Sequence, residues 1–353
     1  MTEISIASET FNVLIEGDEI KPVLMLAHPL GTNLHFWDPQ MPALLEHFWV
    51  LRYDLRGHGA SIANAGPYSI EGLGRDALAI IDALAIAKVH WLGLSIGSII
   101  GQWLLIHARE RIGRAVLAST AAQLPGPDLW NSRIQSARES GMDGVAMAAA
   151  ERWFTKAFRK AHPEKVETVM EMVRAAPLQG YLAGCAAIRD MDHREAIRGI
   201  TNEVLVIAGR HDPTAPPSMG AFVADAIKGA KFITLEASHI SNIEDEANFT
   251  KAVIDFLTSP EAAAAASLRR RKAQPKKAPM RQPAVRKTAA KQAPSRKIAA
   301  KKFARKQAAL KKLPVKKASE KKANKKIGLR KTAAKTAAKK TGASRKASAR
   351  KRS

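Results

Sequence analysis

The sequence is poor in cysteine and contains no long uncharged apolar segment. Cys185 is the only cysteine among 353 residues, which excludes an intramolecular disulfide and gives no sign of an oxidising compartment. No uncharged apolar run reaches the roughly 18 residues that a membrane-spanning helix requires. We expect no secretory signal peptide at residues 1–5, because no basic segment precedes an apolar core. We therefore expect a soluble, cytoplasmic protein without membrane insertion.

Motifs that hold metals or nucleotides are also missing. No cluster of histidine, aspartate or cysteine has metal-ligand spacing, and no G-x-G-x-x-G follows a predicted strand. The segment 56–59, Arg-Gly-His-Gly, lacks the G-x-x-x-x-G-K-[ST] pattern of a phosphate loop, so we interpret it as a structural turn. The sequence thus indicates neither a metal ion nor another cofactor.

Acidic and aromatic residues nearly disappear towards the C-terminus. Residues 261–353 contain 34 lysines and arginines against two acidic residues, a net charge of +32, and Phe303 is their only aromatic residue. Residues 1–260 contain 23 basic and 30 acidic residues, a net charge of −7, so the tail alone accounts for the overall +25. Such a segment buries too little apolar surface to offset its chain entropy. We predict that residues 261–353 are a disordered basic tail when free.

Residues 1–260 alternate short apolar runs with longer segments of helical period. This pattern predicts an α/β fold, with a mostly parallel central sheet and helices on both faces. The segment Phe11–Glu16, closed by Gly17-Asp18, is predicted to form part of an antiparallel edge hairpin. The predicted parallel strands are Val23–Ala27, Trp49–Tyr53, Val89–Leu92, Ala115–Ser119, Val204–Ala208 and Phe232–Leu235. The predicted helices are Trp37–His47, Ile70–Leu84, Ile96–His107, Pro217–Ile227 and Glu246–Leu257.

The alternation stops between Gly126 and Gly199, where the pattern is helical throughout. Because strands resume at Val204, we interpret this stretch as an inserted helical cap. The predicted division is a core of residues 1–125 and 200–260, a cap of residues 126–199 and a tail of residues 261–353.

The pentapeptide Gly-Leu-Ser-Ile-Gly at 93–97 lies between a predicted strand and a predicted helix. In that context G-x-S-x-G is typical of a nucleophile elbow, a tight turn that exposes the serine hydroxyl at the edge of a sheet. Ser95 is therefore the candidate nucleophile. The alternative is that Ser95 only caps the following helix, which would leave the two flanking glycines without a purpose.

A serine nucleophile needs a base and a group that orients the base. Asp212 and His239 each follow a predicted strand, and they occur in the order serine, acid, histidine that is typical of this arrangement. The carboxyl ends of parallel strands meet at one edge of a sheet, so we predict a catalytic triad of Ser95, Asp212 and His239. The alternatives, a turn aspartate and a solvated loop histidine, require separate coincidences.

Acyl transfer also needs donors for the developing oxyanion. We expect the backbone N–H of Ile96, directly after the serine, and that of Leu30 in the loop after Val23–Ala27. Pro29 has no N–H to offer. His28 in the same loop is either a second base or, as we favour, a buried residue that braces the loop.

These motifs together resemble the α/β-hydrolase superfamily, and the resemblance covers residues 10–258. The segments that carry it are His-Pro-Leu-Gly at 28–31, Asp-Leu-Arg-Gly-His-Gly-Ala-Ser at 54–61, the pentapeptide at 93–97, Gly-Arg-His-Asp at 209–212 and Ser-His at 238–239. The cap segments 151–155 and 185–192, with Tyr181, resemble more narrowly the 3-oxoadipate enol-lactonases of the β-ketoadipate pathway. The basic tail departs from that family and instead resembles the Lys/Ala/Pro-rich termini of linker histones and bacterial histone-like proteins.

The resemblance implies a serine hydrolase that opens a small carboxylated enol-lactone through an acyl-enzyme. Arg152 and Trp153 in the cap could then bind the substrate carboxylate and ring, although they could equally be a surface residue and a cap-core residue. A general carboxylesterase or C–C hydrolase would use the same triad. A different alternative is a nucleic-acid-associated protein that acts through residues 261–353, with the rest as a passive scaffold.

Overall fold

The computed structural model of the chain describes residues 2–6, 9–124 and 126–260. The predicted basic tail, residues 261–353, lies outside the described residues. Within the described part, no helix is both long enough and apolar enough to cross a membrane.

Eight strands form one sheet, and the six predicted parallel strands are all present. The strands are β1 (Thr2–Ile6), β2 (Glu9–Glu16), β3 (Val23–Ala27), β4 (Trp49–Tyr53), β5 (Val89–Leu94), β6 (Ile112–Ala118), β7 (Val204–Gly209) and β8 (Lys231–Leu235). Their order across the sheet is β1-β2-β4-β3-β5-β6-β7-β8. The pairs β1–β2 and β2–β4 are antiparallel, and every other pair is parallel. This confirms the antiparallel hairpin at the edge of the sheet. The predicted closure at Gly17-Asp18 is wrong, because β2 pairs with β1, which precedes it, and not with β3.

Ten α-helices and two short 3₁₀ helices accompany the sheet in the described residues. The α-helices are α1 (Met41–Leu45), α2 (Ile70–Ala83), α3 (Ile96–His107), α4 (Pro127–Trp153), α5 (Lys156–Ala161), α6 (Pro163–Ala175), α7 (Leu178–Arg189), α8 (Pro217–Ala226), α9 (Ser241–Glu244) and α10 (Glu246–Thr258). The 3₁₀ helices are Leu34–Gln40 and Ala196–Gly199. Helices α3, α8 and α10 pack against the parallel strands.

One predicted helix is wrong. The segment Trp37–His47 is split between the first 3₁₀ helix and α1, because it contains two prolines. Pro39 lies inside the 3₁₀ helix and Pro42 in the first turn of α1. A proline removes a backbone donor and clashes with the preceding turn of an α-helix, so an α-helix tolerates it only in the first turn. The α-helical part of this segment therefore begins only one residue before Pro42.

Four helices, α4 to α7, lie in sequence between β6 and β7. Helix α4 packs against both α6 and α7, and it contains a kink at Gly141, whose φ of +66° and ψ of −170° are not helical. This is the stretch predicted as an inserted cap. The exact domain boundaries stay a prediction.

The segments that follow β5, β7 and β8 all lie at the carboxyl edge of the sheet. Strands β5 and β7 are almost entirely buried, as expected for parallel strands covered on both faces. Ser95 directly follows β5, while Asp212 and His239 follow β7 and β8 by three and four residues. All three therefore lie beyond the carboxyl ends of parallel strands, with β6 between β5 and β7.

Candidate active site

The serine of the pentapeptide lies at the tight turn between β5 and α3. Ser95 has φ +57° and ψ −118°, a strained combination that residues other than glycine rarely adopt. Its N–H donates to the carbonyl of Ala118 on β6 at 3.0 Å, and its carbonyl accepts from the N–H groups of Ser98 and Ile99. These bonds hold the half-buried side chain at the carboxyl edge of the sheet.

The glycines on either side are required by close backbone approach. A Cβ on Gly93 would lie 2.3 Å from the carbonyl carbon and oxygen of Gly97, and a Cβ on Gly97 would lie 2.2 Å from the carbonyl oxygen of Ala27 on β3. Both distances are far shorter than van der Waals contact. A larger residue at either position would therefore push α3 away from the sheet and displace Ser95.

The predicted acid and base meet in the loops after β7 and β8. Nδ1 of His239 lies 2.7 Å from Oδ2 of Asp212, and both side chains are almost fully buried. Because an ionised carboxylate can only accept, Nδ1 carries the proton and Nε2 is left as an acceptor. The second carboxylate oxygen of Asp212 accepts from the N–H groups of Thr214 at 2.7 Å and Ala215 at 3.0 Å. The imidazole is thus held in the tautomer that a general base requires.

The surroundings of Asp212 keep its carboxylate ionised. Burial by itself raises the pKa of this carboxyl, but the charge and the hydrogen bond of His239 act in the opposite direction, as do the two backbone donors. The net result is a pKa of Asp212 below its ordinary value. An ionised carboxylate at this position would stabilise an imidazolium at His239 if the ring took up a proton.

Two buried histidines fix the loop after β3. Nδ1 of His28 lies 2.9 Å from the carbonyl of Pro29, and Nε2 of His58 accepts the N–H of Gly31 at 2.9 Å. Burial lowers the pKa of His58 to about 3 and that of His28 below its ordinary value, so both rings are neutral at neutral pH. Nε2 of His28 accepts the N–H of Leu55 at 3.0 Å, so the ring is bonded on both sides and braces the loop that contains Leu30.

The turn at 56–59 is organised by the carboxylate of Asp54. This carboxylate accepts the side-chain amide of Asn12 at 2.8 Å, the N–H of Leu34 at 2.7 Å and the N–H of Ala60 at 2.9 Å. The hydrogen bonds join the end of β4 to β2 and to the segment after β3. The interpretation of this motif as a structural turn agrees with these contacts.

Ser95 and His239 line one narrow cavity, bordered also by residues of α4 and α7. Leu30, Arg152 and Trp153 line the same cavity. The ring of Trp153 is buried, and its centre lies 6.3 Å from that of the His239 imidazole. Five of the seven predicted site residues thus border one space.

The other two predicted residues lie behind the cavity wall. Asp212 is hydrogen-bonded to His239 on the side away from Nε2. Ile96 is completely buried as the first residue of α3. The first N–H groups of a helix have no carbonyl partner within the helix, so Ile96 has a backbone donor beside Ser95.

The side chain of Arg152 is half-buried, and one of its nitrogens has no hydrogen-bond partner. Its Nε is buried without a hydrogen bond. Burial, followed by the positive charge of Arg133, lowers the pKa of Arg152. Trp153 is buried like a core residue, yet it and Arg152 both line the cavity.

This combination of turn, hydrogen-bonded pair and sheet order points to one fold family. A family profile for the alpha/beta hydrolase fold matches residues 22–246. The chain belongs to the α/β-hydrolase family. This hydrolase is 39% identical over 237 residues to 3-oxoadipate enol-lactonase 2 of Acinetobacter baylyi. The aligned region covers 67% of this chain and 89% of that protein.

Two further comparisons agree with this family assignment. The identity to 3-oxoadipate enol-lactonase 1 of Acinetobacter baylyi is 33% over 253 residues, covering 71% of this chain and 94% of that protein. The crystal structure of the enol-lactonase from Burkholderia xenovorans LB400 matches with a TM-score of 0.72 and 40% identity. The matched region covers 73% of this chain and 100% of the Burkholderia chain.

A set of hydrogen bonds in this hydrolase joins the end of α4 to the histidine loop. The carboxylate of Glu244 accepts the N–H of Ser238 at 2.9 Å and both the N–H and the hydroxyl of Thr155. The N–H of Ile240 donates to the carbonyl of Trp153 at 3.1 Å. These contacts hold Trp153 beside His239. No sequence spacing points to Glu244, which acts across 89 residues of chain.

A larger groove, with a volume of about 700 Å³, lies between α4, α7 and the loop at 65–67. It is lined by side chains such as Asn131, Arg138 and Arg189 and includes none of the predicted site residues. The position of the site therefore follows from the geometry around Ser95, not from the size of the opening.

Sequence reasoning missed Arg133, which also lines the cavity. Arg133 lies in α4 three residues after Trp130, and its guanidinium carbon lies 4.4 Å from the centre of the Trp130 ring. Residues three apart on a helix are neighbours, so the Trp-x-x-Arg spacing was a usable signal for this stacked pair. It could not show that the pair faces the cavity.

Proposed function

We propose that this hydrolase opens a small carboxylated enol-lactone, such as 3-oxoadipate enol-lactone, through an acyl-enzyme on Ser95. The observation that carries the proposal is the shared cavity of Ser95, His239 and an arginine with an unsatisfied buried donor. The identity of 39% to a 3-oxoadipate enol-lactonase supports it. In the proposed mechanism Ser95, His239 and Asp212 act as nucleophile, base and orienting acid.

In the first half-reaction, the hydroxyl of Ser95 attacks the ring carbonyl as Nε2 of His239 takes its proton. The backbone N–H groups of Leu30 and Ile96 donate to the oxyanion. Breaking the ring C–O bond then releases the enol oxygen, which receives the proton from Nε2. The enol tautomerises to the ketone while its chain stays attached to the serine.

In the second half-reaction, His239 activates a water molecule. The water attacks the acyl carbon and gives a proton to Nε2, and this proton returns to the departing oxygen of Ser95. Asp212 stabilises the imidazolium in both halves. The product carries a new carboxylate where the lactone carbonyl was.

The carboxylate of the substrate requires a cation in a cavity with apolar walls. Arg152 offers a guanidinium with an unpartnered Nε, and Trp153 offers a flat apolar surface beside His239. In this proposal the two residues orient the lactone so that its carbonyl faces Ser95.

Arg152→Ala tests this recognition. We expect kcat/KM on 3-oxoadipate enol-lactone to fall by about 10- to 150-fold, since a hydrogen bond to a charged group contributes roughly 1.5–3 kcal/mol. On p-nitrophenyl acetate, a neutral ester, kcat/KM should change little, because no carboxylate is bound. Initial rates on both substrates provide the measurement.

The neutral ester serves as the internal control for this variant. Equal losses on the two substrates would assign Arg152 a purely structural role. If the unmodified protein hydrolyses the ester and leaves the enol-lactone intact, the alternative of a general carboxylesterase or C–C hydrolase is favoured instead.

We infer a second, separate function for residues 261–353, which is binding to nucleic acid without sequence preference. The observation behind it is a net charge of +32 with one aromatic residue, Phe303. Lysine and arginine bind phosphates by releasing counterions, whereas base recognition needs shaped or stacking surfaces. An anionic membrane is a weaker candidate, because the tail sequence has no apolar face to insert.

An electrophoretic mobility shift assay tests the tail. Full-length protein should bind a random duplex and lose about 10³- to 10⁵-fold in affinity between 50 and 200 mM salt, if about six to ten phosphates are contacted. A chain ending at Pro260 should show no shift and keep its kcat/KM on the lactone. Equal binding by the two chains, or no binding by either at low salt, would contradict the inference.

A further inference from the structure

Two arginines of the active-site cavity lack a salt bridge in the described part of the chain. Arg133 and Arg152 both line it, and within the described residues neither forms an ion pair with an aspartate or glutamate. Other partly or fully buried arginines of the described residues have polar partners: Arg52, Arg56 and Arg114 each pair with at least one carboxylate. Arg159 has no carboxylate partner, but it donates to the backbone carbonyls of Glu151 and Phe154. The two cavity arginines are therefore an exception that needs a reason.

Both arginine side chains lie at the active-site cavity. Arg133 lies over the face of Trp130, with 4.4 Å from its guanidinium carbon to the ring centre, and Trp130 is itself buried. Arg152 is half-buried with an unpartnered Nε. Burial and the positive charge of Arg133 both lower the pKa of Arg152, which indicates that the two cations repel each other.

Two like charges in a narrow cavity cost free energy until an anion lies between them. A guanidinium binds a carboxylate with N–H groups in its own plane, and it stacks on an aromatic ring with its face. Because Arg133 uses a face against Trp130, its in-plane donors stay available. Together with the free Nε of Arg152, they provide donors for the two oxygens of one carboxylate.

We propose that Arg133 and Arg152 together form a carboxylate subsite, in which Arg133 is a second substrate ligand and a determinant of specificity. The ligand class is a short-chain aliphatic acid whose carboxylate lies between the two guanidinium groups. The inference deepens the proposed function and rests on it for the identity of the substrate. The existence of the anion site does not depend on the proposed function.

The test uses adipate, a six-carbon dicarboxylate that resembles the ring-opened product. Isothermal titration calorimetry on the full chain carrying Ser95→Ala measures binding without turnover. Adding Arg133→Gln should weaken adipate binding by about 10- to 100-fold, the effect of losing one charge-assisted contact. Arg133→Lys should give an intermediate loss, because it keeps the charge but loses the planar fork.

Arg138→Gln in the same Ser95→Ala background is the matched control. Arg138 lies on the same helix, but it lines the larger groove, and this variant removes the same charge with the basic tail unchanged. It should bind adipate like its parent. Unchanged affinity in Arg133→Gln, or an equal loss in Arg138→Gln, would overturn the proposal.

Two further outcomes are decisive. If Arg133→Gln does not fold, Arg133→Lys replaces it, and a loss of less than about threefold with the lysine would overturn the proposal. If adipate binding depends on Arg133 while the unmodified chain leaves the enol-lactone intact, the proposed function fails and the anion subsite stands. If the chain hydrolyses the lactone while adipate binding is independent of Arg133, the proposed function stands and the anion subsite is overturned.

Discussion

Ser95→Ala is expected to abolish hydrolysis and leave the fold intact. The remaining groups cannot form the acyl-enzyme, and loss of a serine nucleophile typically costs about 10⁶ in kcat. The hydroxyl is half-buried at a turn whose hydrogen bonds are made by the backbone of Ser95, so its removal should change the free energy of unfolding little. Rates on the enol-lactone and thermal unfolding of the same sample provide the measurement.

A second substitution separates catalysis from stability. Ser95→Gly should be equally inactive, yet its unfolding temperature should equal or exceed that of the unmodified chain. Relief of the strained φ of +57° contributes about 1–3 kcal/mol, which matches or outweighs the roughly 0.5–1 kcal/mol entropic cost of glycine. Ser136→Ala, on an exposed part of α4, is the neutral control. Residual activity within about tenfold of the unmodified chain would exclude Ser95 as the nucleophile.

The parallel part of the fold was predictable because its strands are covered on both faces. Such strands are continuous apolar runs, and β7 is buried at all six positions. The turn at Ser95 was predictable for a different reason, since the close approach of α3 to the sheet admits only glycine at 93 and 97. In each case a local sequence pattern reflects a strict packing constraint.

The helices between β6 and β7 were less predictable. Helical period identifies them, but α4 is polar over much of its length and kinks at Gly141, so the sequence does not show which face meets the cavity. That face decides whether Arg133 is a surface residue or a cavity residue. The bonds of Glu244 to Thr155 likewise depend on how distant segments pack, which no local pattern encodes.

Asp212→Asn is expected to lower kcat by about 10⁴, the loss typical of this change in serine hydrolases of known mechanism. One oxygen of Asp212 accepts from the N–H groups of Thr214 and Ala215, and an asparagine keeps these bonds only if its carbonyl oxygen takes that position. Its NH₂ group then faces Nδ1 of His239, which must become an acceptor. The imidazole proton moves to Nε2, where it blocks removal of the proton from Ser95.

The size of this loss distinguishes the tautomer effect from a general loss of structure. Asparagine matches aspartate in shape and keeps the backbone bonds, so unfolding of the variant should stay cooperative even with the buried carboxylate removed. Asp225→Asn, the same change at an exposed position of α8, should leave kcat unaltered. A loss below about tenfold in Asp212→Asn would mean that another group orients His239. Two observations weigh against that outcome, since His239 Nδ1 lies 2.7 Å from Asp212 and both side chains are almost fully buried.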